Sequence, residues 1–200
     1  MLHWVEQARQ GTFELTDDDL SALTSLLNDE SLDPAMVAYL MALPSESYIA
    51  EFASEIDPVA IHKAREQVSL AIAKNLKADY KACYARLNSS GEYQPIPTDM
   101  AKRALKNLAL ANWAKVEADG IEAAKVQYRD ANNMTDQMAA LRVLVDSSDE
   151  ATAQQVLSDF YVQWKDDALV INQWLTVQAG SSGLGTVENI QTLLEHEAFD

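Results

Sequence analysis

Residues 132–179, NNMTDQMAALRVLVDSSDEATAQQVLSDFYVQWKDDALVINQWLTVQA, decide the fold class. The stretch opens on Asn132-Asn133-Met134-Thr135-Asp136 and carries two apolar-periodic runs. Trp164-Lys165-Asp166-Asp167 separates the second run from a third. Each run begins at a capping signal and closes on polar residues, which predicts three antiparallel helices joined by short loops. Met138, Leu141 and Val145, then Val156, Leu157, Phe160 and Trp164, fall at helical spacings that share one buried seam. Asn133 is the expected cap of the helix running to Val145, with Asp136 at its third position. Trp164 and Trp174 sit on different predicted helices and read as packing residues rather than a ligand clamp. Nothing in the stretch resembles a nucleophile, a metal cage or a phosphate cradle.

On the C-terminal side, Gly180 to Gly185 reads as a flexible linker. Thr186 then starts a last helix with Val187, Ile190, Leu193 and Leu194 facing inward. On the N-terminal side a helix is expected from about Ile121 to Ala131. Another is expected to be capped by Thr98-Asp99, with Met100, Ala104, Leu105, Leu108, Ala109 and Trp113 along its stripe. Two prolines and a glycine make residues 89–97 the clearest loop.

Before that loop, Asp57-Pro58 supplies an N-cap followed by proline at the first helical position. Ile61, Ala64, Val68, Ala71, Ile72, Leu76, Tyr80, Cys83 and Leu87 then keep a helical stripe with no glycine or proline to interrupt it. This predicts one long helix over 57–88, about 45 Å at roughly 1.5 Å per residue. Asp33-Pro34 repeats the device for a helix through Met36, Val37, Leu40 and Leu43. Pro44 ends that helix, and Ser45 caps the next, whose buried face is Ile49, Phe52 and Ala53. Thr16, followed by Asp17, Asp18 and Asp19 in the positive first turn, caps a helix with its stripe on Leu20, Leu23, Leu26 and Leu27. Consecutive aspartates lack the alternating spacing of a calcium loop, so helix-start chemistry is the reading here. Residues 1–15, with Trp4, Val5 and Phe13 around Gly11, read as a connector that could hold a short helix.

No alternating β-branched run of useful length occurs, and Gly (6) and Pro (5) are sparse, so essentially no sheet is expected. The predicted fold is an all-α, irregular solenoid: an ARM/HEAT-like superhelix of antiparallel helix pairs without a strict repeat period, forming a single domain over 1–200. A compact helical bundle is the structural alternative. The net charge of −16 argues against nucleic acid or an anionic membrane as partner, because phosphate binding needs clustered Lys and Arg. Cys83 is the only cysteine, which leaves no intrachain disulfide and no thiolate metal site. No apolar run reaches the length of a membrane span and no signal-peptide core is present. The expectation is a cytoplasmic protein. The sequons at Asn88 and Asn133 are accordingly read as accidental.

Chemistry is sparse. His62 and Glu66 lie four apart on a helix face, but two ligands make no zinc site and a surface hydrogen-bonded pair is the reading. His196-Glu197-Ala198-Phe199-Asp200 begins like the His-Glu-x-x-His of zinc hydrolases, yet its fifth residue is aspartate. Gly180 to Gly185 lacks the Lys-Ser/Thr pair of a phosphate loop.

Several ordered segments resemble one family. They are Leu26 to Ala35 (Leu-Leu-Asn-Asp-Glu-Ser-Leu-Asp-Pro-Ala), Leu43-Pro44-Ser45-Glu46, Ile56-Asp57-Pro58-Val59-Ala60-Ile61, Lys102 to Asn107, Ala131 to Asp136, and Leu169-Val170 through Trp174 to Gln178-Ala179. Together they resemble the C-terminal helical domain of bacterial aminopeptidase N, a zinc-dependent alanyl aminopeptidase of the gluzincin class, from about residue 12 to Asp200. Gln173 departs from the lysine usual in that family before the tryptophan. The resemblance implies a fragment whose zinc and zinc ligands belong to a separate catalytic domain. No catalytic or metal residue is carried over to this chain, and its expected cofactor is none. It also implies a role in capping and walling a peptide cavity, with that catalytic domain and the parent's peptide substrates as partners. Asn132, Asn133, Asp136, Lys165, Asp166 and Trp174 are the candidates for cavity wall or domain contact. A free-standing helical-repeat module that binds a protein or peptide is the alternative, and an independent hydrolase is a third possibility.

Overall fold

A computed structural model describes residues 2–53, 56–88 and 91–199. The regular elements among them are all helices. The chain divides into two compact units, Met1–Glu117 and Ala118–Asp200, where the sequence suggested one domain.

The first unit holds α1 (Leu2–Arg9), α2 (Asp17–Asn28), α3 (Pro34–Met41), α4 (Glu46–Glu51), α5 (Pro58–Asn75), α6 (Lys77–Leu87) and α7 (Pro97–Ala114). The short helix read in residues 1–15 is α1, with the connector after it: Val5 is fully buried and α1 packs on α5, with Gly11 turning the chain afterwards at φ +71°. Thr16 and Asp19 form a reciprocal capping box at the start of α2. Asp33, Ser45 and Asp57 each accept a backbone N–H at the start of α3, α4 and α5. Pro34 and Pro58 stand where their missing N–H costs nothing.

The long helix expected over 57–88 is two helices, parted at Leu76 (φ −101°, ψ 16°). The stripe nonetheless runs through the break, since Ile72, Leu76, Tyr80 and Cys83 are all buried. Leu76 N–H still bonds Ile72 O, and Tyr80 N–H bonds Leu76 O, so the apolar register survives. Just before the break, Asn75 Nδ2 donates to Ala71 O at 2.8 Å, a local side-chain bond of the kind that competes with helix hydrogen bonding.

In α7 the first helical position is Pro97, and the residue ahead of it, Ile96, makes no side-chain cap. Thr98-Asp99 therefore lie inside the helix rather than capping it. In the preceding loop, Ser89 and Ser90 lie outside the described residues, as does most of the Asn88 sequon. Residues 91–95 carry no regular element. Arg103 orders this stretch from α7, donating to Gln94 O at 3.3 Å and lying 4.9 Å from the Tyr93 ring centre. In α4, Ile49 is buried as expected, but Phe52 of that face and Met100 of the α7 stripe are exposed; in α3, Val37, Ala38 and Met41 are buried while Met36 and Leu40 are exposed. Helix α3 reads PAMVAYLM and is apolar on every side, so its spacing does not select a face.

The second unit holds α8 (Ala118–Asp130), α9 (Met134–Ser147), α10 (Glu150–Trp164), α11 (Ala168–Ala179) and α12 (Val187–Leu194). Helices that follow one another pack together, and α9 also touches α11. Leu141, Leu144 and Phe160 are fully buried at the centre, and the predicted seam is buried from Met138 to Phe160 with Trp164 at its margin.

The Gly180–Gly185 segment is a built turn and not a loose linker. Ser181 is buried, and its Oγ accepts the N–H groups of Gly183 and Leu184 at 3.2 Å. A Cβ on Gly185 would stand 2.5 Å from Ser181 O, so glycine is the residue that allows this closure. Thr186 caps α12 as expected, but α12 buries none of its residues: Val187 and Leu194 are exposed and Ile190 and Leu193 half-buried.

Candidate functional site

Three of the six candidates meet at the corner between α8 and α9. Asn133 Oδ1 accepts Asp136 N–H at 2.9 Å, capping α9. Asn133 Nδ2 donates to Asp136 Oδ2 and to Asn132 Oδ1, each at 3.1 Å. From α8, the buried Gln127 donates through Nε2 to Asp136 O at 3.0 Å. Asp136 itself is buried, so this knot fixes one helix start against its neighbour. Asn132 is exposed at its edge.

The other three lie elsewhere. Lys165 and Asp166 are exposed in the turn between α10 and α11. The cap there is the next residue, Asp167, whose Oδ1 accepts Leu169 N–H at 3.1 Å and Val170 N–H at 3.2 Å. Trp174 is buried, and its Nε1–H donates to Leu157 O at 2.9 Å, tying α11 to α10. Its ring sits 5.1 Å from Tyr161 and 5.2 Å from His196. Trp164 Nε1–H donates instead to Gln137 Oε1 at 3.2 Å, so the two tryptophans do separate packing work. The six candidates thus form a corner, a turn and a core contact, and share no single cleft.

Two of the three histidines, His62 and His196, are engaged in structure. His62 Nδ1 lies 2.8 Å from Glu46 Oε1 on α4, so its partner is Glu46 and not the expected Glu66. His196 Nδ1 accepts Ala198 N–H at 3.1 Å, which assigns the proton of a neutral ring to Nε2. Beside it Tyr161 donates to Glu197 Oε1 at 2.9 Å, and that bond raises the Tyr161 phenol above its ordinary range. Asp200, the last residue of the zinc-hydrolase-like segment, lies outside the described residues. Among the described residues no group of three or more His, Cys, Asp or Glu is placed to hold a metal ion. A catalytic zinc takes three protein ligands and a water, a set that the described residues do not bring together. Cys83 is fully buried, and burial pushes its thiol up. Burial likewise pushes the Tyr128 phenol up to about 12, while its hydroxyl donates to Val156 O at 3.1 Å.

Among the described residues of the first unit are two cavities that none of the six candidates lines. One, of about 280 Å³, lies against α1 and includes His3, Glu6, Arg9, Ile49 and Phe52. The other, of about 220 Å³, brings Arg65 and Ser69 of α5 beside Asn112 and Lys115 at the end of α7. Sequence reasoning missed this second cluster because its residues stand almost 50 positions apart and belong to no spaced motif.

The class of the chain follows from its helices and from a match over residues 1–200 to the family described as "Domain of unknown function (DUF3458_C) ARM repeats". The chain belongs to that family, and its fold is all-α, of the ARM-repeat solenoid type. The relatives are aminopeptidases. Aminopeptidase N of Escherichia coli (strain K12) is 33% identical over 179 residues, which is 89% of this chain and 20% of that protein. Aminopeptidase N of Haemophilus influenzae is 32% identical over 197 residues, 98% of this chain and 22% of that protein. Among solved structures, Legionella pneumophila aminopeptidase A in complex with aspartic acid superposes with a TM-score of 0.85 at 26% identity. That match covers all of this chain and 24% of the other. The chain therefore spans about a fifth of the length of the curated relatives it matches, as a fragment of aminopeptidase N would. No described helix is long and apolar enough to cross a membrane.

Proposed function

We propose that this chain is the ARM-repeat part of a cytoplasmic, zinc-dependent aminopeptidase that removes N-terminal amino acids from peptides. Its share of the work is to wall the substrate cavity and to dock on the catalytic domain of the same parent, which holds the zinc. The observation that carries the reading is the match to aminopeptidase N over nearly the whole of this chain. A wall that excludes water strengthens every electrostatic interaction at a zinc centre, so a domain without reacting groups still contributes to turnover. Within it, the exposed Asn132, Lys165 and Asp166 are the residues suited to meet another surface. Asn133, Asp136 and Trp174 hold the corners that present them.

The test is a pair of assays. The purified chain with zinc and alanyl p-nitroanilide is expected to release no chromophore above background, and reproducible zinc-dependent turnover overturns the reading. In the parent enzyme, Lys165→Ala combined with Asp166→Ala is expected to change KM for peptides while leaving the zinc content intact. Unchanged kinetics remove those two residues from the contact surface.

A further inference from the structure

The cavity of about 220 Å³ between α3, α5 and α7 is not used by this proposed function, and its lining is chemically specific. Arg65 and Lys115 both line it, in a chain whose net charge is −16. Arg65 is held in place by its Nε–H, which donates to Pro44 O at 2.8 Å. Lys115 donates to Ser69 Oγ at 2.8 Å, which occupies one of the three protons on its ammonium group. Glu66 stands between the two cations, with its oxygens 4.0 Å from Arg65 Nη1 and 3.9 Å from Lys115 Nζ. Both separations exceed hydrogen-bond length. One carboxylate therefore spans both cations without bonding either, and the cluster keeps one positive charge in excess. The rest of the lining is mixed: Ser69, Tyr80 and Asn112 add polar groups, and Met41, Ile72 and Leu108 give an apolar side.

A carboxylate brought into this cavity gains charge-assisted hydrogen bonds that Glu66 does not make, and a hydrocarbon tail gains the apolar lining. The volume is below the range usual for drug-sized ligands, which limits the tail to a few carbons. We propose that this cavity binds a small aliphatic carboxylate, its oxygens shared by Arg65 and Lys115 and its tail on Met41, Ile72 and Leu108. The proposal goes beyond the aminopeptidase reading and does not depend on it.

The test is a titration of the full 200-residue chain with 4-methylpentanoate, followed by backbone-amide NMR. Its neutral isostere 4-methylpentanamide and inorganic phosphate serve as comparison probes. Saturable shifts are expected at Ser69, Ile72, Leu108, Asn112 and Lys115, with both comparison probes weaker by about tenfold, the worth of one charge-assisted pair. Lys115→Met keeps the aliphatic stem and is expected to weaken carboxylate binding by a similar factor. Glu66→Gln removes the competing carboxylate and is expected to tighten it, a gain that a damaged fold cannot imitate. Any one of four results overturns the proposal: no saturable shift, equal binding of the amide, equal binding of phosphate, or no gain in Glu66→Gln. Were Lys115→Met to lose its native spectrum, Glu66→Gln alone would decide.

Discussion

In residues 118–200 each helix packs on the next in sequence, whereas in residues 1–117 the chain returns on itself, α1 to α5 and α3 to α7. The local arrangement suits a repeat array, in which stability is a sum of neighbouring interfaces. The returning arrangement closes larger loops, and each doubling of loop length costs only about 0.6 kcal/mol, so a few well-buried anchors suffice. Val5 is such an anchor: one fully buried residue on an eight-residue helix joins the chain's start to α5. Neighbour packing is also what periodicity and capping can predict. Long-range return is not, because no local signal in residues 1–15 names α5 as their partner.

The sharpest way to probe the local arrangement is Phe160→Ala. Phe160 is fully exposed to no solvent and lies in α10 against α9, so truncation is expected to cost about 3–5 kcal/mol through lost burial and the cavity left behind. Urea unfolding of the chain measures the total, and hydrogen exchange should place the loss in α9, α10 and α11. A uniform loss across α8 to α12 contradicts neighbour-by-neighbour stability. For the returning arrangement the matching probe is Val5→Ala, expected to cost about 1–2 kcal/mol. Here the protection lost should appear at once in α1 and in α5, some 50 residues apart. If only α1 loosens, the anchor reading fails.

The comparison also explains how much of the molecule was legible beforehand. Thr16, Asp33, Ser45, Asp57, Asn133 and Thr186 all cap as read, because a cap is chemistry within four residues. The seam from Met138 to Phe160 was legible because its helices have one polar side. The break at Leu76 was hidden, since the apolar register passes through it unchanged. The ordered turn at Gly180–Gly185 was hidden because burial of Ser181 depends on tertiary packing and a glycine-serine run reads as a linker. Of the six site candidates, only the pairing of Asn133 with Asp136 rested on a local rule, and the structure brings those two together. The Arg65–Lys115 cavity had no sequence signal at all, being made by helices that meet only after folding.

Two smaller perturbations sharpen the distinction between caps and faces. Asn133→Ala removes the acceptor for Asp136 N–H and is expected to cost about 1 kcal/mol, with Asn133→Ser recovering most of it. A loss as large as that of Phe160→Ala would mean that the Asn132–Asn133–Asp136 knot carries more than a helix start. Leu194→Ser, on the exposed side of α12, is expected to change stability by less than about 0.5 kcal/mol. Chemical denaturation distinguishes these two outcomes readily.

The weakest expected effects are electrostatic, and they again separate the units. Glu117 in the first unit is held below the ordinary carboxylate range, foremost by its hydrogen bond with Lys77 and then by that with Trp113. Asp149 in the second is lowered chiefly by the backbone N–H of Thr152 and then by its hydroxyl, within a single helix start. Both folded-state values are depressed relative to unfolded values near about 4.3 for Glu and 3.9 for Asp. Each therefore contributes stability that is fully present above those values and is lost as pH falls through the folded one. Asp149 is exposed and Glu117 half-buried, so solvent screening keeps both contributions small and salt-sensitive. Glu117→Gln and Asp149→Asn should each flatten the acid side of the stability-versus-pH curve. In Glu117→Gln the change should accompany loosening between α6 and α7, which Lys77 and Trp113 join through that carboxylate. In Asp149→Asn, where asparagine still caps, exchange protection in α10 should hold. An acid limb unmoved by either substitution would show that these bonds exist without setting the pH response.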